Sequence, residues 1–250
     1  MIFEGISISE RLWKWHKKLL KKYDIVFTTR FIKDAMAKKG YELYANRVVE
    51  VSFPMVTGFS IKPQKEKSDD QKITLAFPGK LYPHLRSPEY FLKIVSKLDK
   101  RFKVIFMGSG CKAVINSSSV NTEAEIVVLG AQEYNVAQQA MADADILINI
   151  GNSVPVHMPS KTLEYINTGK PFVNFYKLDD CPTLYYTKRY PLCLNFSEKN
   201  EDIDTVAKEF IDFCVQSKGK QLSQDWIFEN FKECTPQYIA KQITDACAEL

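Results

Sequence analysis

The stretch at residues 145–176, "DILINIGNSVPVHMPSKTLEYINTGKPFVNFY", decides how the rest of the chain is read. Its two ends, 145–150 and 171–176, are short apolar runs of the kind that form buried strands. Between them Pro159 and Ser160 open a helix over 160–168, Leu163 and Ile166 supply its buried side, and Gly169 followed by Pro171 ends it. Lys161 and Glu164, three residues apart, share another face of the first turn, where burial gains nothing from them.

The same alternation of apolar runs and amphipathic segments extends through the chain. Further strands are predicted at 24–29, 47–53, 72–77, 102–108, 125–130 and 191–196, with helices at 31–39, 87–98, 133–142 and from about 203 onward. Strands separated by helices are the sequence form of a parallel, doubly wound sheet, so an α/β Rossmann-like fold is expected. The polar, aperiodic stretch 57–71 reads as a linker. Residues 1–56 bury too little surface to stand alone comfortably and read as the tail of an N-terminal domain or a docking segment. Residues 72–202 form the Rossmann-like domain and 203–250 its C-terminal helices.

Composition narrows the function classes. The 250 residues are 45% hydrophobic, with neither an 18-residue apolar run nor a secretion signal, so a cytoplasmic globular protein is expected. Six cysteines without a C-x-x-C pair read as buried thiols and suggest neither zinc nor a disulfide framework. A net charge of +4 is too mild to argue for nucleic acid. The charge is uneven, however: residues 1–67 carry +7 and the remainder −3. Much of the excess sits on a helix at 9–23, where Leu12, Trp13, Trp15, His16, Leu19, Leu20 and Tyr23 share one face and Lys14, Lys17, Lys18, Lys21 and Lys22 the other. Packing of the apolar face is the favoured reading, and a membrane-surface contact is the other.

In open α/β sheets ligands sit beyond the carboxyl ends of the strands. In the first such loop, "FPGKLYPHLRSPEYF", Gly79 allows a tight turn, Lys80 and Arg86 flank the loop, and Ser87 and Pro88 suit the start of a helix. Two cations beside a helix start suit an anion, although solvated surface charge is the plain alternative. Gly108 and Gly110 after the next strand, and Gly130 after the third, are weak signals of turns alone. At Lys161 and Glu164 a surface salt bridge competes with a nucleotide-diphosphate site, in which Lys161 meets phosphate and the carboxylate accepts from ribose hydroxyls.

Together, "FPGKLYPHLRSPEYF", "VIFMGSG" and "VVLGAQEYNVAQQAMADADILINIGNSVPVHMPSKTLEYINTGKPFV" resemble the donor-binding half of the retaining, glycogen-synthase-like glycosyltransferases (family 4) with the two-Rossmann GT-B fold. The likeness covers roughly residues 70–180, and "YDIVFTT", "FIKDAM" and "VVEVSFPM" are similar to the closing elements of that family's N-terminal domain. It implies that Lys80 and Arg86, with Lys161, hold the donor's diphosphate, and that Glu164, the last acid of the family's E-x7-E signature, binds ribose. Ser160 belongs to the P-S-K variant of that signature, and Gly130 and Ala131 border the base. The first acid of the signature would fall at Val156, which carries none. Asp145 matches an aspartate of structural character.

The resemblance thus implies transfer of a sugar, with retention, from a nucleoside-diphosphate sugar to a glycan or lipid-linked acceptor, with no metal and no further cofactor. Residues 1–56 are too few for an acceptor pocket, so a partner chain supplying the acceptor side is expected, and the basic helix at 9–23 is the expected point of contact if the protein is peripheral to the inner face of a membrane. Two alternatives are a GT-B sugar-nucleotide epimerase, with His84 and His157 as its candidate histidines, and a non-catalytic nucleotide-sugar-binding subunit.

Overall fold

A computed structural model describes residues 2–3, 6–7, 10–38, 46–64, 72–118, 120–154 and 156–250. The linker's residues 65–71, Ser9 and Lys39, and the side chains of Leu12, Trp13 and His16 lie outside the described residues. The chain opens with a small antiparallel pair, β1 (Ile2–Phe3) and β2 (Ile6–Ser7), followed by α1 (Glu10–Leu20). Next comes a parallel crossover unit of β3 (Val26–Thr28), α2 (Arg30–Ala37) and β4 (Val48–Glu50).

The main sheet then begins with β5 (Ile73–Pro78), α3 (Glu89–Val95), β6 (Phe102–Met107), α4 (Cys111–Asn116) and β7 (Glu125–Leu129). It continues through α5 (Tyr134–Asp143), β8 (Ile146–Ile150), α6 (Lys161–Thr168), β9 (Phe172–Tyr176), α7 (Thr183–Thr187) and β10 (Cys193–Ser197). The closing helices are α8 (Ile203–Ser217), α9 (Gln224–Asn230), a 3-10 turn at Lys232–Cys234 and α10 (Pro236–Ala248).

The six strands lie in the order β10-β9-β8-β5-β6-β7, and every neighbouring pair is parallel. From β5 the chain winds outward to β7, returns to place β8 on the other side of β5, and then winds outward to β10. The order reverses between β5 and β8, the switch point near which open α/β sheets hold their ligands. β5 and β8 are buried along their whole length, which is why they read as unbroken apolar runs.

Alternate strand residues serve two cores. Leu75, Phe77, Ile148 and Phe175 pack with Phe91 of α3 and Phe210 of α8, whereas Ala76, Leu147 and Phe172 pack with Met141 of α5, Leu163 and Ile166 of α6, and Ile227 of α9. Across β8, β9 and β10 runs a buried polar ladder: Asn149 donates to Asn174 at 2.6 Å, Asn174 donates to Asn195 at 2.8 Å, and the Thr187 hydroxyl caps Asn195 at 2.7 Å.

The N-terminal elements dock on the second core. The Phe31 ring meets Tyr185 and Tyr186 edge-on, and the Ser52 hydroxyl lies 2.9 Å from the Tyr186 hydroxyl and 3.1 Å from Cys234 Sγ. Fully buried Val56 donates its N–H to the Cys234 carbonyl at 3.0 Å. The stretch after it is held along the helices: Thr57 and Gly58 N–H both donate to Asn167 Oδ1, Phe59 N–H to Gln224 Oε1, and Gln64 N–H to Asp143 Oδ1.

Some local expectations are corrected. The helix expected at 87–98 is α3, seven residues long and capped at Pro88 rather than Ser87. Its last apolar residues continue as a tighter turn, in which Leu98 N–H bonds the Val95 carbonyl. α4 and α7 were not expected, since five or six residues are too few to display a helical period. Cys247 is exposed on α10 and Cys193 is half-buried, and the other four thiols are buried. Asp145 is structural as expected: its carboxylate accepts the Thr74 N–H at 2.7 Å, and its own N–H returns to the Thr74 carbonyl at 2.9 Å, locking β8 onto β5.

Candidate functional site

Three glycines bring the carboxyl ends of β5, β6 and β7 together. Gly79 N–H donates to the Met107 carbonyl at 2.9 Å, and Gly108 N–H donates to the Gly130 carbonyl at 3.0 Å. Gly108 has a φ of 133°, and a Cβ placed on it would fall 2.1 Å from the Gly79 carbonyl oxygen. Any side chain at Gly108 would therefore force the first two loops apart. A lone G-x-G was a weak sign in the sequence, because the contact that explains it comes from a loop about thirty residues upstream.

Over this floor lies a cleft of about 320 Å³, lined by Gly79, Lys80, Gly108, Ser109, Ala131, Gln132, Tyr134 and Lys161, among others. Of the residues singled out in the sequence, Gly79, Lys80, Gly108, Ala131 and Lys161 line it, and Glu164 lies outside the lining. Gly130 supports it through its carbonyl. Ser160 precedes the first turn of α6 and makes no capping bond with its side chain. Gly169 ends α6 in the left-handed conformation at φ 74°.

The cations of the site are held by partners. Lys161 Nζ lies 2.5 Å from Glu164 Oε2, with their side chains 25% and 13% exposed, so the ion pair weighed in the sequence does form. Gln138, buried on α5, approaches the same oxygen at 3.5 Å. Lys80 Nζ stands 4.4 Å above the Tyr82 ring, a cation–π contact that leaves the ammonium accessible. Arg86 lies outside the cleft lining. Its Nε donates to Asn152 Oδ1 at 3.0 Å and Nη1 to the Lys80 carbonyl at 3.4 Å, and burial holds its pKa below the usual guanidinium value.

Asn152 was not singled out in the sequence, and nothing in its local pattern would have marked it. Of the two candidate histidines, His157 contacts Asn152 through Nδ1, and the His84 carbonyl accepts from the Ser153 hydroxyl at 3.2 Å. Neither histidine is among the cleft's lining residues. Among the described residues no group of three His, Cys, Asp or Glu side chains is placed to hold a metal ion.

A cleft lined by two lysines, backbone glycines and an exposed tyrosine suits an extended anion joined to a flat or cyclic group.

No family model and no curated protein matches the sequence. Among solved structures, the chain is similar to the Anabaena protein Alr3699/HepE in complex with UDP, at 13% identity and a TM-score of 0.69, covering 97% of this chain and 69% of that one. It is similar to the apo form of the lipopolysaccharide outer core galactosyltransferase WaaB, at 16% identity and a TM-score of 0.64, covering 91% of this chain and 62% of that one. A third likeness is to sucrose-phosphate synthase from Thermosynechococcus elongatus, at 10% identity and a TM-score of 0.63, covering 96% and 62%.

The fold is the GT-B Rossmann-like glycosyltransferase fold. At these identities the likeness concerns the fold, and the chain spans 62 to 69% of the length of these GT-B structures. Lys80, just after β5, and Lys161, at the start of α6, both line the cleft over the ends of β5, β6 and β7.

Proposed function

We propose that this chain is the donor-binding part of a retaining, family 4 glycosyltransferase. A nucleoside-diphosphate sugar would lie in the cleft with its diphosphate between Lys80 and Lys161, Arg86 behind it, its ribose at Glu164 and its base along Gly130 and Ala131. The observation that carries this reading is that Lys80 and Lys161, 81 positions apart in the chain, line one cleft at the carboxyl ends of a parallel sheet. The complexes of HepE with UDP and with UDP-glucose support a uridine nucleotide as the first donor to try.

Departure of a nucleoside diphosphate leaves negative charge on the β-phosphate, and fixed cations stabilise that charge as it develops. Front-face displacement, with the acceptor attacking from the leaving group's side, needs no protein nucleophile, and these cations would do the work of a metal at the phosphates. The acceptor, a glycan or lipid-linked saccharide, would be presented to the open side of the cleft by a partner chain or a further segment. Among the described residues no helix is long and apolar enough to cross a membrane, and we place the protein in the cytoplasm with α1 against the inner membrane face.

The test is calorimetric titration with UDP, UDP-glucose, GDP, ADP and inorganic pyrophosphate, followed by sugar-transfer assays with and without added partner chains. Binding of no nucleotide and no pyrophosphate would remove the reading. Partner-dependent transfer with the anomeric configuration kept would establish it in full.

A further inference from the structure

Asn152, two residues past the end of β8, is 1% exposed, and its amide is engaged at both ends. Oδ1 accepts from Arg86 Nε at 3.0 Å, while Nδ2 donates to the His157 carbonyl at 3.3 Å and contacts His157 Nδ1. A guanidinium offers only donors, so the amide oxygen must face Arg86 and the orientation of Asn152 is fixed by chemistry. His157 Nδ1 then has to accept, which calls for the tautomer with its proton on Nε2.

The neighbouring residue ties the same two loops by a separate route. Ser153 N–H donates to the Leu85 carbonyl at 3.1 Å, and its hydroxyl reaches the Leu85 and His84 carbonyls at 3.1 and 3.2 Å. The loop it holds is itself closed by Tyr82 and Arg86, whose backbones exchange hydrogen bonds of 3.2 and 2.8 Å. The loop after β5 and the loop after β8 are thus one stitched body, and the Asn152 stitch runs through a cationic side chain.

We propose that Asn152 is a positioning residue of the anion site, fixing Arg86 by Nε behind the cleft so that its Nη2 group is kept for a phosphate bound between Lys80 and Lys161. The proposal rests on the diphosphate reading given above. An arginine on a surface loop loses rotamer freedom each time it closes on an anion, whereas one clamped beforehand does not. The second Arg86 contact, Nη1 to the Lys80 carbonyl, turns the guanidinium toward the loop that carries Lys80.

The test is a double-mutant cycle read by calorimetric titration with inorganic pyrophosphate and with UDP, on wild type, Asn152→Ala, Arg86→Ala and the double variant, with melting temperatures alongside. Asn152→Ala should weaken pyrophosphate by about tenfold in the wild-type background and by less than about twofold when Arg86 is already alanine. Ser153→Ala, which loosens the same loops without touching Arg86, should leave pyrophosphate affinity within about twofold. Asn152→Ser carries the cycle if the alanine variant melts below the assay temperature. An equal loss in both backgrounds, or a matching loss from Ser153→Ala, overturns the role of Asn152 and leaves the cleft reading standing. Failure of the wild type to bind either probe overturns the cleft reading and this proposal with it.

Discussion

Lys161 Nζ and Glu164 Oε2, separated by 2.5 Å across one turn of α6, form an ion pair that occupies the cation a phosphate would use. A diphosphate in the cleft must compete with this carboxylate for Lys161. Glu164→Gln keeps the shape and removes the competitor, so pyrophosphate should bind about fivefold more tightly, the equivalent of about 1 kcal/mol. UDP should gain less, or lose, because an amide is a poorer acceptor for ribose hydroxyls than a carboxylate. Titration of both ligands against both proteins checks this. Pyrophosphate affinity unchanged or lowered by the substitution would mean that the pair is not a competitor.

Lys80 and Lys161 are each expected to make a charge-assisted bond to the diphosphate. Changing either to alanine should weaken UDP by about 1 to 3 kcal/mol, and the binding should fall with added salt less steeply in the variants than in the wild type. Titration at two ionic strengths measures both effects. Full affinity in both variants would leave the cleft without an anion site.

The parts legible in the sequence were those written in local chemistry. Continuous apolar runs gave β5 and β8, Gly169 and Pro171 ended α6, and Gly79 with Lys80 marked the loop at the switch point. The parts that stayed hidden depend on register and on contacts between distant loops. Asn149, Asn174 and Asn195 sit in three apolar runs that look alike, and only the parallel register sets them side by side. Gly108 looked like an ordinary turn glycine until the Gly79 carbonyl was found where its Cβ would be. Asn152 bonds Arg86, which is 66 residues away in the chain.

That ladder makes a stability prediction. Asn174 is fully buried, accepting from Asn149 and donating to Asn195, so removing its amide strands the Asn149 N–H and leaves Asn195 Oδ1 with the Thr187 hydroxyl alone. Asn174→Val is close in size and creates little cavity, which isolates the polar term. It should destabilise the protein by about 2 to 3 kcal/mol. Denaturant unfolding measures the loss, and a cost under about 0.5 kcal/mol would show that the ladder contributes nothing net.

Glu198, just beyond β10, makes stability depend on pH. Its side chain is 13% exposed, Oε1 has no hydrogen-bond partner among the described residues, and Lys177 Nζ stands 3.9 Å from Oε2. Burial pushes its pKa up to about 7, Lys177 partly opposes this, and Glu89 adds to it. Because the folded pKa lies above the unfolded value of 4.5, the folded state holds the proton more tightly. The stabilisation is complete below pH 4.5 and is lost as the pH rises through 7, with a size of order 3 kcal/mol. Glu198→Gln should flatten the fall in melting temperature between about pH 5 and pH 8. A wild-type profile that rises over this window would reverse the sign and overturn the assignment.

The basic helix gives the last prediction. On α1, Leu20 is 4% exposed and packs with Met36 and Val48, so at least the end of its apolar stripe turns inward, as the packing reading expects. Trp15 is nevertheless 56% exposed, and Lys14, Lys18, Lys21 and Lys22 are exposed as well. Packing on one side and a wet cationic side with an outward indole are compatible on a single helix. Each lysine near an anionic surface contributes about 1 kcal/mol, and the indole prefers the headgroup region. The chain should therefore co-sediment with phosphatidylglycerol-rich vesicles at low salt, release at about 0.3 M salt, and ignore phosphatidylcholine vesicles. Trp15→Ala should weaken the binding without shifting the melting temperature, since an exposed ring stabilises the fold little. Absence of binding to anionic vesicles at low ionic strength would remove membrane contact from the proposed function and leave α1 as a packing helix alone.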